Sequence, residues 1–437
     1  MRSATASTRR TRRKGWPLSR RSGQRDLKMH EHRPTIPIPN PIKTYKYPHL
    51  LVGLVIHMDF TPTKEHQMLR NTVRSFAEKE IKPIAADIDK NGDVPKEILD
   101  RMGEMNLMGM TVPKEYGGAG CDKISYMIAL EEIARVCGST GIVMEAHNSL
   151  GLGHIFERGN EEQRRKWVPD IAAGKKLAAW ALTEANAGSD SGGMSTRAVL
   201  EGDEWVLNGT KIFITNAAIG DYVTVMAVTD KSKGTKGISA FVVPTGTPGY
   251  SLGTSEDKMG LRGSHTSELV FENCHIPKGN ILGEPGTGFT GAMNILDRGR
   301  AAVGALAVGI AQGALDESVR YSKEREQFGR PIAKFQAIQW MLADMATRIE
   351  ASRLLVYRAA WMEDKGMRFS KEASMAKLYA SEMATQTCLN AIQIHGGYGY
   401  TKDYPVERML RDTKLMEIGE GTSQVQRIVI SRAILGR

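Results

Sequence analysis

The stretch AVLEGDEWVLNGTKIFI, which spans residues 198–214, decides the class of fold. It contains three short apolar runs, at residues 198–200, 205–207 and 212–214. The pairs Gly202-Asp203 and Asn208-Gly209 separate these runs, and Asn-Gly between apolar runs is a strong signal for a tight turn between antiparallel strands. The stretch therefore predicts β-structure, with a hairpin turn at Asn208-Gly209.

The β pattern extends beyond this stretch in both directions and then ends. Further β-branched runs, bounded by glycine and proline, lie at residues 222–228, 238–243 and 269–271. Short strands with such punctuation are typical of small barrels and sandwiches. We therefore predict a middle β domain, a β-barrel or a sandwich, over residues 179–285.

Helical periodicity flanks this domain on both sides. Upstream, Met68, Val73 and Phe76 recur at helical spacing, which predicts an N-terminal helical domain over residues 58–178. Downstream, the pattern predicts long helices at 292–326, 333–365, 370–393 and 423–434. Long helices with short links are typical of a bundle. The predicted fold class is α+β and multidomain: helical, β, and a C-terminal domain over residues 286–437 that resembles a four-helix bundle.

Composition excludes several classes of protein. Of the 437 residues, 41% are hydrophobic and 25% charged, which is neither collagen-like nor wholly disordered. The cysteines, Cys121, Cys137, Cys274 and Cys388, are widely spaced and form no C-x-x-C motif. We therefore expect a cytoplasmic location, no disulfide framework and no metal site. The apolar run at residues 50–56 is far shorter than the roughly 20 residues that span a membrane, so we expect no membrane partner.

The net charge of +10 is concentrated in the first 57 residues. These contain 13 of the 59 basic and 2 of the 49 acidic residues, which leaves 46 basic and 47 acidic residues elsewhere. The composition of residues 1–57 predicts disorder. Three interpretations stay open: a transit peptide for the mitochondrial matrix, a basic arm that binds nucleic acid or anionic lipid, or translation that begins at Met58.

One candidate ligand segment lies where helix gives way to strand. Residues 180–190 read WALTEANAGSD. Their small side chains let backbone approach a ligand closely, and Thr183 and Ser189 add hydroxyl groups. An ordinary loop at a domain junction is the alternative.

A second candidate segment reads IGEGTS at residues 418–423. Ser423-x-x-Gln426 predicts a capping box at the start of a helix. Glu420 is the only acid of this run, and it lies just before a helix N-terminus, which favours negative charge or a polar ligand. A solvated acidic cap is the alternative.

Taken together, these segments resemble the flavin-dependent acyl-CoA dehydrogenase family. The resemblance covers essentially all of residues 58–437. Its motifs, in the family's order, are LTEANAGSD (182–190), NGTKIFITN (208–216), MGLR (259–262), LDRGR (296–300), REQFG (325–329), QIHGG (393–397) and EGTS (420–423). It implies α,β-dehydrogenation of an acyl-CoA thioester by a homotetramer that passes electrons to electron-transferring flavoprotein.

The resemblance also implies FAD as cofactor, between the β domain and the C-terminal helices and partly across a subunit boundary. The residues that it implies for FAD are Trp180, Leu182, Thr183, Ser189, Phe213, Thr215, Arg325, Gln327, Gln336, Gln393, Gly396, Gly397, Thr422 and Gln424. Those that it implies for the acyl-CoA substrate are Ser189, Asp297, Arg300 and Gly421.

The catalytic base implied by the resemblance is Glu420. Removal of the α proton needs a carboxylate whose pKa desolvation raises to about 6–7. No side chain accepts the β hydride, so a cofactor must take it. The thioester oxygen would be bound by a flavin hydroxyl and the N–H of Glu420. Members of the isovaleryl type instead supply a glutamate from the position of Gly299, where this chain has no side chain.

One departure bears on the substrate. Many members have Tyr where this chain has Gly419, and we hypothesise that Gly419 leaves room for a branched, cyclic or bulky acyl group.

Two other functions remain open. One is a flavin oxidase or monooxygenase on the same fold, although the presence of both Glu420 and Arg300 favours the dehydrogenase. The other is a non-catalytic nucleic-acid-binding protein, which only the basic residues 1–57 support; we expect no nucleic-acid partner.

Overall fold

The computed structural model describes residues 62–436. The segment predicted to be disordered, residues 1–57, lies outside the described residues, and so do the three interpretations that rest on it.

The first part of the described chain is helical. In chain order its α-helices are α1 (Lys64–Phe76), α2 (Ala85–Asn91), α3 (Lys96–Glu104), α4 (Lys123–Ala134), α5 (Gly138–Glu145), α6 (Gly153–Arg158) and α7 (Glu161–Ala172). Helix α1 begins with a capping box in which Thr63 and His66 exchange hydrogen bonds. A π-helical segment, Ala146–Leu152, continues α5 into α6. Such segments occur frequently at functional sites.

The middle part is the predicted β-structure. Its strands are β1 (Ala178–Ala181), β2 (Arg197–Glu201), β3 (Glu204–Thr215), β4 (Tyr222–Val228), β5 (Ile238–Pro244), β6 (Tyr250–Ser255), β7 (Thr266–Pro277) and β8 (Ile281–Leu282). They form one mixed sheet in the order β6-β7-β3-β2-β4-β5-β8, and β1 pairs with β4 in parallel.

This sheet consists of two halves that share one apolar core. Strands β2 and β4 are joined only by the pair Arg197 and Val228 among the described residues. Trp205 of the first half packs edge-on against Phe241 of the second, with ring centroids 5.2 Å apart. Both side chains belong to the same buried cluster. The middle part is therefore closer to a sandwich than to a closed barrel.

The predicted hairpin turn at Asn208-Gly209 is wrong. Strand β3 continues through both residues and pairs with β7 on either side of them. The register shifts between Leu207 and Gly209, which is a β-bulge, and Asn208 Oδ1 accepts a hydrogen bond from the Asn273 N–H at 2.9 Å. A Cβ on Gly209 would lie 2.6 Å from Thr196 Oγ1. The glycine therefore allows close packing inside a strand rather than a chain reversal.

The last part is helical, as predicted. Its α-helices are α8 (Gly288–Glu324), α9 (Gln336–Asp364), α10 (Ser370–His395), α11 (Val406–Met416) and α12 (Ser423–Leu435). A short hairpin of β9 (Glu326–Gln327) and β10 (Arg330–Pro331) separates α8 from α9. Helix α11 is the one that the sequence pattern missed, and α10 packs against α8, α9, α11 and α12.

The two helical parts share a core. Buried residues of α4, such as Leu130 and Ile133, belong to the same cluster as Leu306 and Ile310 of α8. The β-sheet packs on helices through another cluster, which includes Trp180 and Leu296. Helix α8 thus contacts every part of the described chain, and the candidate site lies along it.

Candidate active site

Glu420 lies in a tight turn between α11 and α12. Its φ is +54°, and Gly421 follows with φ +97°. A left-handed conformation is uncommon for a residue with a side chain and occurs often at functional sites. Lys377 of α10 donates hydrogen bonds to the carbonyl oxygens of Met416 and Gly421, at 2.9 and 2.7 Å. Gln426 of α12 donates to the same Gly421 oxygen at 2.8 Å. Two helices therefore hold the turn that presents Glu420.

The cap of α12 differs from the prediction. Thr422 is the N-cap, and its hydroxyl accepts a hydrogen bond from the Val425 N–H at 3.2 Å. Gln426, predicted to pair with Ser423 in a capping box, directs its amide to the carbonyl of Gly421 instead. The helix starts where it was predicted, but its cap lies one residue earlier and its glutamine supports the turn.

The carboxyl group of Glu420 packs directly onto α8. A Cβ atom added at Gly299 would lie 2.0 Å from Glu420 Oε2. This oxygen is buried and has no hydrogen-bond partner among the described residues. Burial raises the pKa of Glu420 above its usual value, and the neighbouring Glu145 and the cations Lys377 and Arg300 oppose that rise. A buried carboxyl group with a raised pKa suits a general base.

Glu145 is a second buried carboxyl group, and it belongs to none of the sequence motifs. It ends α5, is 0% exposed, and neither of its oxygens has a hydrogen-bond partner among the described residues. Burial and then the charge of Glu420 raise the pKa of Glu145 well above its usual value. The available signal was a lone acid within the apolar run of residues 142–146, since unpaired acids are rarely buried.

The two residues implied for the acyl-CoA on α8 lie next to Gly299. Arg300, 6% exposed, forms an ion pair with Asp297 on the same helix. Ser370 donates a hydrogen bond to Asp297 Oδ1 at 2.9 Å. The buried Arg300 Nε has no partner among the described residues. One turn of α8 therefore carries the Asp297 carboxylate, the Arg300 guanidinium and the glycine, Gly299, against which the Glu420 carboxyl group packs.

The implied flavin-ring residues lie on β1, on the loop that follows it and on β3. Strand β3 lies beside the loop after β1, because the Ile212 N–H donates to the Thr183 carbonyl at 3.0 Å. Phe213 has φ +58° in a second bulge of β3 and is 59% exposed, and Thr215 ends the strand. A strained, exposed aromatic residue indicates a ligand-facing role. Trp180 and Leu182 are buried, and Ser189 is exposed.

A buried ion pair that the motifs alone did not indicate holds this loop. Lys211 is 0% exposed and donates to Glu184 Oε1 at 2.8 Å and to the Leu182 carbonyl at 3.0 Å. Glu184 also accepts from the backbone N–H groups of Ser195 and Thr196, at 2.6 and 2.9 Å. Burial lowers the pKa of Lys211 to about 8. The pair therefore fixes the loop that carries Leu182 and Thr183.

A cavity of about 490 Å³ gathers four of the residues implied for FAD. Arg325, Gln327, Gly396 and Gly397 line it. A Cβ atom at either glycine would meet no atom of residues 62–436 within 4 Å, so both leave the backbone open to a ligand. A guanidinium, an amide and exposed backbone fit a phosphate-bearing nucleotide such as FAD.

Other implied residues are not gathered there. Gln336, Gln393 and Gln424 have exposed side chains. Among the described residues, no hydrogen bond or ion pair joins the cavity to Glu420, Asp297 or Arg300. Residues 62–436 contain no group of three or more His, Cys, Asp or Glu side chains placed to hold a metal ion.

Three family models match consecutive parts of the chain. They are acyl-CoA dehydrogenase, N-terminal domain, at residues 63–175; middle domain, at residues 179–274; and C-terminal domain, at residues 286–435.

Individual proteins match over the same region. The short-chain specific acyl-CoA dehydrogenase of Clostridium acetobutylicum is 52% identical over 377 residues, which cover 86% of this chain and 100% of that protein. A chain in the solved structure described as electron transferring flavoprotein of Acidaminococcus fermentans is 50% identical, with a TM-score of 0.86; the match covers 87% of this chain and 100% of that one. Butyryl-CoA dehydrogenase from Megasphaera elsdenii is 44% identical, with a TM-score of 0.85, and the match covers 86% and 100%.

Proposed function

The chain belongs to the acyl-CoA dehydrogenase family, and we propose that Glu420 is the base with which it removes the α proton of a short-chain acyl-CoA thioester. As a member of this family the protein is an oxidoreductase that forms a double bond between the α and β carbons of its substrate. The position of the Glu420 carboxyl group, buried against Gly299 and beside Arg300, carries the proposal.

The surroundings of Glu420 suit proton abstraction. Its Oε2 atom is buried and has no hydrogen-bond partner among the described residues. Burial makes the protonated product of this step more stable than it would be in water. The turn is held by Lys377 and Gln426, which keeps the carboxyl group in one place before substrate binds.

We propose that Asp297, Arg300, Ser189 and Gly421 contact the acyl-CoA. Arg300 is buried but keeps an unpaired Nε among the described residues, which a polar group of the substrate can use. The N–H of Glu420 would bind the thioester oxygen as negative charge develops there.

We propose FAD as the cofactor, as in the flavoproteins of this family. FAD, when bound, supplies the acceptor for the hydride that leaves the β carbon. The residues proposed to hold the flavin ring are Trp180, Leu182, Thr183, Ser189, Phe213 and Thr215. Those proposed to hold the remainder are Arg325, Gln327, Gln336, Gln393, Gly396, Gly397, Thr422 and Gln424. The open glycines of the cavity and the exposed Phe213 support this assignment.

We also propose a homotetramer that passes electrons to electron-transferring flavoprotein. The 50% identity to a chain in the Acidaminococcus fermentans structure supports that acceptor. Phe328 and Trp340, 93% and 61% exposed, support burial of this surface by another subunit. Light scattering of the purified protein measures the subunit number.

The cytoplasm is the proposed location. All four cysteines are free thiols, which suits a reducing compartment. In the part of the chain that the structure describes, no helix is long and apolar enough to cross a membrane.

Anaerobic titration tests the proposed function. The purified full chain should show the visible spectrum of a bound flavin, and that spectrum should bleach when butyryl-CoA is added. Absence of bleaching with butyryl-, isobutyryl- and octanoyl-CoA would contradict the proposal.

An oxidase is the second candidate, and the same experiment separates the two. The reduced protein is exposed to air after bleaching. A dehydrogenase stays reduced until an electron acceptor is added, whereas an oxidase regains its colour at once. The proximity of Arg300 and Glu420 on the α8 surface favours the dehydrogenase.

A further inference from the structure

The ammonium group of Lys377 is buried beneath the turn that carries Glu420. The residue is 1% exposed and lies on the face of α10 that otherwise buries Ala373, Ala376 and Ala380. Its Nζ atom donates to two main-chain carbonyls of the turn, those of Met416 and Gly421. A lysine at an apolar position of a helix is therefore the contact between α10 and this turn.

Holding the turn does not by itself require a positive charge. Gln426 donates to the same Gly421 oxygen with a neutral amide. A buried ammonium loses much more hydration than an amide does, so burial of the Lys377 charge carries a free-energy penalty that a neutral donor would not have. The charge therefore calls for a function besides hydrogen bonding.

Glu420 is the carboxylate on which this positive charge acts. The charged groups that face Lys377 are Glu420, Arg300 and Glu417. Glu417 already pairs with Lys414 at 2.8 Å and accepts from the Thr385 hydroxyl at 2.5 Å. Arg300 is itself paired with Asp297. Glu420 alone among these acids has a buried oxygen without a hydrogen-bond partner among the described residues.

Four titratable groups face Glu420 from neighbouring helices. They are Tyr126 from α4, whose pKa burial raises well above its usual value, Glu145 from α5, Arg300 from α8 and Lys377 from α10. Burial disfavours a negative charge on Glu420, whereas Glu145 and the two cations favour it. Since Arg300 is engaged by Asp297, Lys377 is the cation whose removal should change the charge of Glu420 most.

We propose that Lys377 is a positioning residue for the base: its ammonium holds the 416–421 turn and keeps the Glu420 carboxylate ionised in the resting enzyme. This inference rests on the proposed function. Lys377 touches the main chain of the turn, and its proposed action on the reaction is through Glu420.

The test compares variants that remove the charge with a variant that removes only a hydrogen bond. Lys377→Met removes the charge and both hydrogen bonds, and Lys377→Gln removes the charge but keeps an amide donor. Gln426→Met is the matched control, because it removes a donor to the same Gly421 oxygen without changing any charge. Each variant is first checked for bound flavin and thermal midpoint, and then kcat/KM for butyryl-CoA is measured from pH 5.5 to 9.

Loss of the cation should raise the pH at which Glu420 ionises. We expect the rising limb of the kcat/KM profile to move up by about one pH unit in both Lys377 variants. At pH 7 this is a loss of about fivefold when the limb lies at that pH and about tenfold when it lies well above it. In Gln426→Met we expect a lower plateau with the limb at its original pH.

Three results have separate meanings. A rising limb that stays in place in Lys377→Gln, or moves equally in Gln426→Met, overturns the proposal, because lysine would then be structural only. If Lys377→Met does not fold, the pH profile of Lys377→Gln alone tests the proposal. Lys377→Arg keeps the charge, so its rising limb should lie at the same pH as in the unmodified protein. Absence of bleaching in the unmodified protein would overturn the proposed function instead.

Discussion

Glu420 Oε2 occupies the space that a side chain at Gly299 would fill: an added Cβ would lie 2.0 Å from it. The two residues lie on different elements, the turn before α12 and helix α8. Position 299 is also the one from which the isovaleryl-type members are expected to supply their base. The fold therefore brings both candidate origins of the catalytic carboxylate to one point, and only one of them can hold a side chain.

We predict that Glu420→Gln strongly slows the reaction without loss of the flavin. The amide has the shape of the carboxyl group but cannot take a proton. A positioned base contributes about 100- to 10,000-fold to such a step. We expect a yellow protein whose bleaching by butyryl-CoA slows by that factor, measured in an anaerobic stopped-flow experiment. Bleaching at the unmodified rate would remove Glu420 from the mechanism.

We predict that the base can be moved to α8. The single variant Glu420→Gly should bleach as slowly as Glu420→Gln. Adding Gly299→Glu supplies a carboxylate from α8 in place of the one removed. We expect the double variant to bleach at least about tenfold faster than Glu420→Gly alone. If the single and double variants bleach at the same rate, a carboxylate at position 299 cannot replace the one at position 420, and the prediction is wrong.

Gly304→Ala is the control for substitution on α8. The three nearest atoms to its Cβ would be a Val356 methyl at 3.0 Å and the Ala376 carbonyl carbon and oxygen at 3.5 and 3.6 Å, none of them from Glu420. We expect its bleaching rate to match that of the unmodified protein, whereas Gly299→Ala alone should displace the carboxyl group and slow bleaching.

We predict that stability falls in mild acid because two histidines are buried in the neutral form. Burial lowers the pKa of His147 to about 4 and of His154 to about 3. The unfolded chain, with ordinary histidine pKa values near 6.5, binds more protons below that pH. The free energy of unfolding should therefore decrease by about 1.4 kcal/mol per pH unit for each histidine as the pH falls from 6.5 toward 4.

Urea unfolding at pH 7 and pH 5 measures this decrease. His154 accepts a hydrogen bond from Trp180 Nε1 at 2.9 Å, and His154→Gln keeps an acceptor there while removing the titrating ring. We expect the pH dependence to be shallower in His154→Gln. If the free energy of unfolding depends on pH identically in the two proteins, His154 does not contribute to the loss of stability in acid.

We predict that Gly419 widens the range of acyl groups. A Cβ atom at Gly419 would meet Leu415 at ordinary contact distances, the nearest being 3.6 Å, so the first atom of a side chain fits there without a clash. Gly419→Tyr should keep its thermal midpoint and its rate with butyryl-CoA. Its rate with isobutyryl-CoA should fall about tenfold, which corresponds to about 1.4 kcal/mol of lost transition-state binding.

The comparison is the ratio of kcat/KM for the two substrates in each protein. A strong preference for butyryl-CoA in the unmodified protein, unchanged by Gly419→Tyr, would contradict the hypothesis that this glycine makes room for branched groups.

Local sequence patterns determined the class of fold. Helical, β and helical segments follow in the predicted order, because the apolar period is a property of neighbouring residues. The same patterns predicted the start of α12 at Ser423 and identified Glu420 as the acid before it. They failed at Asn208-Gly209, where the local sequence favours a turn. Pairing with β7 and the close approach of Thr196 produce a bulged strand there instead.

Only the tertiary structure decided how Glu420, the proposed base, is surrounded. Gly299, Glu145 and Lys377 come from three helices, and no spacing in the sequence relates them to Glu420. Their effect depends on burial and on distances between charges, which exist only once the helices have packed. The amino-acid sequence by itself thus specified which residue can act as a base, whereas the packing of α5, α8 and α10 around it decided where that carboxylate lies and how readily it takes a proton.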